Sequence, residues 1–224
     1  MIDAVLFDWD GTLLDSREAL LGAWHAATAE VVGRRFPATE EEEQLVFTLP
    51  GGQLFPRVAG SPVGAAALTS AFQRAYERTS ATVRAFPGML SVLAELRAAG
   101  IATGVVTSKA RMRFEMDARR IHLDELIDIS VCQAEAPAHK PDPAPVLQAL
   151  RLLGIPPARA VTVGDTPVDV QAGTAAGTAV VAVAWGAFGS EALRAAGATA
   201  VARDAGELAR LLLHPLPDME RIAS

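Results

Sequence analysis

Four aspartates occur where the chain would leave a buried strand or enter the helix after it. Asp8 and Asp10 follow the apolar run AVLF, Asp165 follows AVTVG, and Asp169 lies one helical turn further on. Ligands of an open parallel sheet gather at the carboxyl ends of its strands, so we expect these side chains to meet at one edge. Carboxylates this close repel each other unless a cation lies between them, and oxygen ligands favour a hard metal, Mg²⁺ above all. The sequence therefore predicts a magnesium site.

Hydroxyl and ammonium groups are expected at the same edge. Thr107 and Ser108 follow the run GVV, and Lys140 lies in HKPDP, one loop after the run IDISVC. These groups can donate hydrogen bonds to the oxygens of a phosphoryl group in transfer. A metal that neutralises both the aspartates and an incoming phosphate would let a carboxylate approach phosphorus. Together the residues predict a phosphoryl-transfer site.

The elements that must position these residues alternate between strand and helix. Continuously apolar runs, typical of parallel strands covered on both faces, occur at 4–8, 101–108, 160–165 and 179–186. Helical patterns that end at a glycine lie between them, at 89–100, 145–154 and 168–177. This order predicts an α/β fold with a doubly wound parallel sheet and right-handed crossovers.

One segment breaks the alternation. Residues 16–84 contain no convincing strand; helical patterns occupy 17–33 and 63–83, and a short acidic helix is predicted at 37–47. A Gly/Pro-rich connection, TLPGGQLFPRVAGSP, joins the last two of these patterns in chain order. We therefore expect a core domain made of 1–15 and 85–224, with a small all-helical cap domain, 16–84, inserted after the first strand.

The composition narrows the function classes. The chain has 224 residues, half of them hydrophobic, with a net charge of −6 and a mean hydropathy of +0.25. The acidic balance is not that of a nucleic-acid-binding or membrane-surface protein, and no apolar stretch reaches the length of a membrane span. The start of the sequence is not typical of a secretory signal, and one cysteine, Cys132, excludes an internal disulfide. We expect a cytoplasmic protein with Cys132 as a buried thiol.

Four separated motifs resemble those of the haloacid dehalogenase-like hydrolase superfamily, in its subgroup with a helical cap. DWDGTLLDS is similar to the first, DxDGT(L/V) motif and VVTSK to the strand that ends in Thr or Ser. HKPDP is similar to the lysine motif and GDTPVD to the GDxxxD motif, while FPGM marks the return from the cap. The resemblance covers nearly the whole chain and is greatest to phosphoglycolate phosphatase-like proteins.

The resemblance implies a reaction. Asp8 would be the nucleophile that forms an aspartyl-phosphate, and Asp10 would protonate the leaving group and later deprotonate the attacking water. Thr107, Ser108 and Lys140 would bind the phosphate, and Lys140 would also restrain Asp8. An aspartate at position 10 disfavours the dehalogenase and phosphonoacetaldehyde branches, in which that position is not an acid. The implied substrate is a small phosphorylated metabolite, as an ester or an anhydride.

The resemblance also implies a metal site. The carboxylates of Asp8 and Asp165, together with the backbone carbonyl of Asp10, would hold Mg²⁺. Asp169 would support this site from the start of the following helix. The implied enzyme is a magnesium-dependent phosphatase.

Two other functions share part of this residue pattern. DSREALLGAW can be aligned with the β-phosphoglucomutase pattern DTxEYHxxAW, but Ala19 and Leu20 stand where the mutase has Tyr and His, which favours a hydrolase. A phosphoaspartate receiver also combines aspartates, a hydroxyl and a lysine on a doubly wound sheet. Such signalling modules are much shorter, lack a helical insert and carry the phosphorylated aspartate on a later strand.

Roles are also expected for Asp15 and Arg57. Asp15 is predicted to cap the first helix of the insert, because DSRE places Glu18 three residues later. Arg57, in the Gly/Pro-rich connection, is a candidate for substrate specificity because cap loops of this subgroup overhang the active site.

Overall fold

The fold comes from a computed structural model, which describes residues 2–214. The chain divides into two compact units, one formed by Met1–Leu14 and Ala85–Ser224 and the other by Asp15–Arg84. The first division falls one residue before the predicted boundary at 15/16, and the second coincides with the predicted boundary at 84/85.

Strands and helices alternate along most of the chain. The first part comprises β1 (Ala4–Phe7), β2 (Leu14–Asp15), α1 (Arg17–Val31), α2 (Glu40–Thr48), α3 (Gly51–Ala59), α4 (Pro62–Thr79), β3 (Arg84–Ala85), α5 (Met89–Ala98) and β4 (Ala102–Val106). The second part comprises α6 (Arg111–Arg120), β5 (Ile129–Val131), α7 (Ala144–Leu153), β6 (Ala160–Gly164), α8 (Pro167–Ala176), β7 (Ala179–Val183), α9 (Ser190–Ala195), β8 (Ala200–Ala202) and α10 (Ala205–Leu213).

The larger unit is built on a six-stranded sheet in the order β5-β4-β1-β6-β7-β8. Neighbouring strands in it pair in parallel, and Phe7 of β1 lies opposite Val105 of β4 and Val163 of β6. The chain winds outward from β1 on one side through β4 and β5, then returns to β6 and winds outward on the other. The predicted doubly wound α/β fold is confirmed, and β1 lies at the point where the winding reverses, which is where such sheets bind ligands.

Both faces of this sheet are buried, because each strand carries apolar side chains on either side. Ala4 and Leu6 pack in one cluster with residues of α7 and α8, among them Val146 and Ala172. Val5 and Phe7 point to the opposite face and are also fully buried. The expectation for Cys132 is also confirmed, since it is a free, buried thiol.

The smaller unit, Asp15–Arg84, holds four helices around an aromatic core. The ring of Trp24 on α1 lies 5.3 Å from Phe36, 4.8 Å from Phe55 on α3 and 5.1 Å from Phe72 on α4. These large apolar side chains give the unit a core of its own. No helix within 2–214 is long and apolar enough to cross a membrane.

Two local predictions for this region are wrong. The Gly/Pro-rich connection contains a helix, α3, although Pro56 interrupts its hydrogen bonding, because Leu54, Phe55 and Val58 form an apolar face that is buried. Asp15 does not cap α1: it lies in β2 with its side chain exposed, and Ser16, which precedes the helix, makes no capping hydrogen bond through its side chain.

Candidate active site

Asp8 and Lys140 form the centre of the site at the carboxyl edge of the sheet. The backbone N–H of Asp8 donates to the carbonyl of Val163 at 2.8 Å, which continues the ladder one residue beyond β1. The Lys140 ammonium donates to Asp8 Oδ1 and Asp169 Oδ1, both at 2.6 Å, and to the carbonyl of Val106 at 3.0 Å. All three ammonium donors are therefore satisfied, and the lysine side chain is 7% exposed.

Asp165 follows β6 and is held from two directions. The Thr12 hydroxyl donates to Asp165 Oδ1 at 3.0 Å, and the backbone N–H of Ala187 donates to Oδ2 at 2.7 Å. A Cβ atom added at Gly11 or Gly186 would come within 2.3 Å of Asp165 Oδ2. Glycine is needed at both places because the backbone must pass this close to the carboxylate, and Gly11 also has a positive φ of 86°.

Asp169 is fixed by the start of α8. It forms a capping box with Thr166: the Thr166 N–H donates to Asp169 Oδ2 at 3.1 Å, and the Asp169 N–H donates to the Thr166 hydroxyl oxygen at 3.3 Å. The Thr166 hydroxyl also donates to Asp169 Oδ2 at 2.6 Å. This arrangement leaves Oδ1 of Asp169 for Lys140. The residue therefore joins the helix terminus to the centre of the site.

The three carboxylates of Asp8, Asp165 and Asp169 each place an oxygen within 4.8 Å of the others. Burial is the largest cause that raises the pKa of Asp8 to about 7, and the neighbouring Asp169 charge adds to it while Lys140 opposes it. Burial and the neighbouring charges of Asp169 and Asp8 also raise the pKa of Asp165 well above its usual range. A single ammonium is thus too little positive charge for this cluster.

The donor set of this cluster fits a metal ion. Its atoms are carboxylate oxygens, the ligands of hard divalent cations, and three carboxylates with one ammonium leave a net charge of −2 when ionised. Asp10 was expected to contribute through its backbone carbonyl, which stays a prediction. Its carboxylate is not part of the cluster.

Lys109 binds the Asp10 carboxylate. Its ammonium donates to Asp10 Oδ1 at 2.7 Å and forms an ion pair with Asp117 Oδ2 at 2.9 Å. Sequence reasoning assigned Lys109 no role, although it lies in the VVTSK motif, two residues after Thr107. Its place in that motif was the available signal.

Thr107, Ser108 and Lys140 line one small cavity of about 10 Å³. Thr107 is buried, and its hydroxyl oxygen accepts a hydrogen bond from the N–H of Lys109 at 3.1 Å. The cavity has room for about one water molecule, so it is an opening between these groups rather than a substrate pocket. Their assignment to phosphate binding stays a prediction.

Arg57 lies in the last turn of α3, within the smaller unit, and is exposed. The expectation that it lies in a loop is wrong, because α3 continues to Ala59. Its role in specificity stays a prediction.

Comparisons with known proteins identify the family of the chain. A family model described as haloacid dehalogenase-like hydrolase matches residues 5–183. The pyrophosphatase PpaX of Bacillus cereus (strain AH820) is 32% identical over 185 residues, which cover 82% of this chain and 84% of that protein.

Two solved structures share the fold. CbbY of Rhodobacter sphaeroides, in complex with phosphate, has a TM-score of 0.81 at 27% identity and covers 93% of this chain and 96% of its own. A Lactobacillus plantarum protein, provisionally called a phosphoglycolate phosphatase, has a TM-score of 0.83 at 22% identity, with 94% and 99% covered. Because the family model matches most of the chain and the PpaX relative is 32% identical over most of both proteins, the chain belongs to the haloacid dehalogenase-like hydrolase family.

Proposed function

We propose that this protein is a magnesium-dependent phosphatase that cleaves a small phosphorylated metabolite through an aspartyl-phosphate on Asp8. The observation that carries the proposal is the buried contact of the Lys140 ammonium with both Asp8 and Asp169, beside Asp165. A lysine placed in this way orients the nucleophile and supplies a donor for phosphoryl oxygens. Family membership supports the hydrolase reaction.

Each residue of the site would have its own role in this reaction. The carboxylates of Asp8 and Asp165, with the Asp10 carbonyl, would hold Mg²⁺, and Asp169 would support them. When bound, the ion neutralises the phosphate so that a carboxylate can attack it. Asp8 would attack phosphorus through the carboxylate oxygen that Lys140 does not hold. Asp10 would give its proton to the leaving oxygen and then take one from the attacking water.

The substrate class follows from the core and from the relatives together. Pyrophosphate and 2-phosphoglycolate are the first compounds to test, because relatives of this chain carry those names. We propose that residues 16–84 act as a cap domain that selects among such compounds, with Arg57 as a candidate contact. The single free cysteine supports an enzyme that works in the cytoplasm.

Phosphate release by purified protein tests the proposal. Wild-type protein with Mg²⁺ should hydrolyse p-nitrophenyl phosphate, chelation of the metal should abolish turnover, and Asp8→Asn should be inactive because an amide cannot form the acyl-phosphate. Asp3→Asn is the matched control: it lies just before the opposite end of β1, pairs with Arg159 and should keep full activity. Acid quench and mass spectrometry should place phosphate on Asp8.

Other outcomes would contradict specific parts of the proposal. Magnesium-dependent turnover by Asp8→Asn would exclude Asp8 as the nucleophile. A phosphosugar isomerised without net phosphate release would indicate the mutase reaction, and a stable phosphoprotein without turnover would indicate a receiver.

A further inference from the structure

Lysine is rare in this chain and occurs only where an ammonium meets buried aspartates. Eighteen of the twenty basic residues are arginine, and the two lysines are Lys109 and Lys140. Both are buried, and both contact a carboxylate that follows β1. An ammonium is a compact charge whose three donors leave from one atom, whereas a guanidinium is a wide planar fork. At both positions the ammonium contacts two carboxylates from one atom, which suits a compact charge.

Lys109 lies between two carboxylates in a chain of alternating charges. Its side chain is 2% exposed and contacts Asp10 on one side and the fully buried Asp117 on the other. The second oxygen of Asp117 accepts from Arg120 at 3.0 Å. Buried ion pairs gain little net stability because desolvation offsets the attraction, so stability alone is a weak reason for this arrangement.

Both partners of this contact are fixed by their own backbones. The N–H of Lys109 donates to the Thr107 hydroxyl, and its carbonyl accepts from the N–H of Gln133 at 2.9 Å. On the other side, the turn after β1 is closed by the N–H of Leu14, which donates to the carbonyl of Trp9 at 2.9 Å. The ammonium therefore meets the Asp10 carboxylate in one defined arrangement.

We propose that Lys109 is a positioning residue that holds the Asp10 carboxylate for proton transfer to the leaving group. The inference rests on the proposed phosphatase function. Lys109 anchors Oδ1 of Asp10, so we assign the proton transfer to the other oxygen, Oδ2. As the bond from phosphorus to the leaving oxygen breaks, its electron pair stays on that oxygen, which takes the proton from Oδ2. The ionised Asp10 later takes one proton from the water that attacks the aspartyl-phosphate.

The dependence of the rate on the leaving group distinguishes this role from a structural one. p-Nitrophenol is a strong enough acid to leave with little help, whereas phenol is a weak acid that needs a proton. General acid catalysis contributes about 10²–10⁴-fold. We expect Lys109→Met to lower kcat/KM for phenyl phosphate at least about tenfold more than for p-nitrophenyl phosphate. Adding Lys109→Met to Asp10→Asn should cause no further loss, because the two residues act as one unit.

Two more variants complete the design. Asp117→Asn keeps the lysine but weakens its support, so it should show the same selectivity to a smaller degree, and it serves as the test if Lys109→Met does not fold. Arg119→Gln, on the solvent side of the same helix in an exposed pair with Glu115, is the matched control and should leave both substrates unaffected.

The outcomes separate this inference from the function on which it rests. Wild-type protein that releases no phosphate from any ester would refute the phosphatase proposal and this inference with it. Turnover that falls equally for both substrates in Lys109→Met and Asp117→Asn would overturn the positioning role alone. A raised KM with unchanged leaving-group dependence would also overturn it, since Lys109 would then contact the substrate itself.

Discussion

Asp8→Asn should stabilise the metal-free protein at alkaline pH, although it removes the proposed nucleophile. The pKa of Asp8 lies at about 7, above its ordinary value of 3.8, so the folded protein holds the proton more tightly than the unfolded chain does. Below the ordinary pKa of 3.8 Asp8 is protonated in both the folded and the unfolded protein, so it does not change the free energy of unfolding. As the pH rises towards the folded pKa, ionisation favours the unfolded chain, and the free energy of unfolding decreases.

The size of the effect follows from the two pKa values. They differ by about three, and each unit corresponds to about 1.4 kcal/mol, so Asp8 should cost the metal-free protein about 4 kcal/mol above pH 7. Asparagine has nearly the same shape and never ionises. The variant should therefore be close to wild type in stability at pH 4 and more stable by up to about 4 kcal/mol at pH 8. Mg²⁺ should reverse the order, because it binds the ionised wild-type cluster.

Urea unfolding in EDTA, at several pH values between 4 and 8, measures this difference. The comparison of wild type with Asp8→Asn at each pH cancels the titration of the groups that the two proteins share. Asp3→Asn is again the control: it removes a carboxylate outside the cluster and should not be more stable than wild type at pH 8. A variant that is no more stable than wild type at pH 8 would refute the view that the ionised Asp8 carboxylate destabilises the metal-free protein.

Two other substitutions test the same cluster. Lys140→Met should abolish activity and, since it leaves the buried Asp8 without its cation, lower the free energy of unfolding of metal-free protein at pH 8 by about 3–5 kcal/mol in urea. Gly186→Ala places a Cβ atom 2.3 Å from Asp165 Oδ2, so the Mg²⁺ concentration for half-maximal activity should rise about 10–100-fold, whereas Gly189→Ala, with no atom within 4 Å of the added Cβ, should leave it unchanged.

Much of the sheet could be predicted because its strands are short apolar runs that end in charge. The run at 4–8 became Ala4–Phe7 and the run at 160–165 became Ala160–Gly164. A parallel strand buried on both faces has few alternatives when it is rich in Val, Leu and Phe. Its end is equally clear, because Asp8 and Asp165 cannot continue into the core. Because the carboxyl ends of parallel strands lie at one edge of the sheet, the aspartates that follow these strands could be expected to meet there.

Other elements could not be predicted because packing outweighs their local signals. Gly51, Gly52 and Pro56 have low helix propensity, yet α3 forms because its apolar face is buried. The strand β8 spans only Ala200–Ala202, too short for a pattern to emerge. Both cases depend on neighbours that are distant in the sequence.

The role of Lys109 was hidden for the same reason. Its partner Asp10 is 99 residues away, and nothing in the local sequence tells an ammonium that is held between carboxylates from one in solvent. The scarcity of lysine in the composition is a signal that does not depend on structure. It becomes informative once both lysines are found at one edge of the sheet.

Asp8 and Asp10 can lie close together because each contacts the ammonium of a different lysine, Asp8 that of Lys140 and Asp10 that of Lys109. Among the causes that shift the pKa of Asp8, the charge of Asp10 has a smaller effect than that of Asp169. When Asp10 and Asp117 are both ionised, Lys109 and an arginine balance their charges. When its three carboxylates are ionised, the cluster around Asp8 has a net charge of −2, which a divalent cation would cancel. A metal ion can therefore bind beside Asp8 without displacing the Asp10 carboxylate. In the proposed reaction Asp10 must stay in place, because it gives a proton in the first step and takes one in the second.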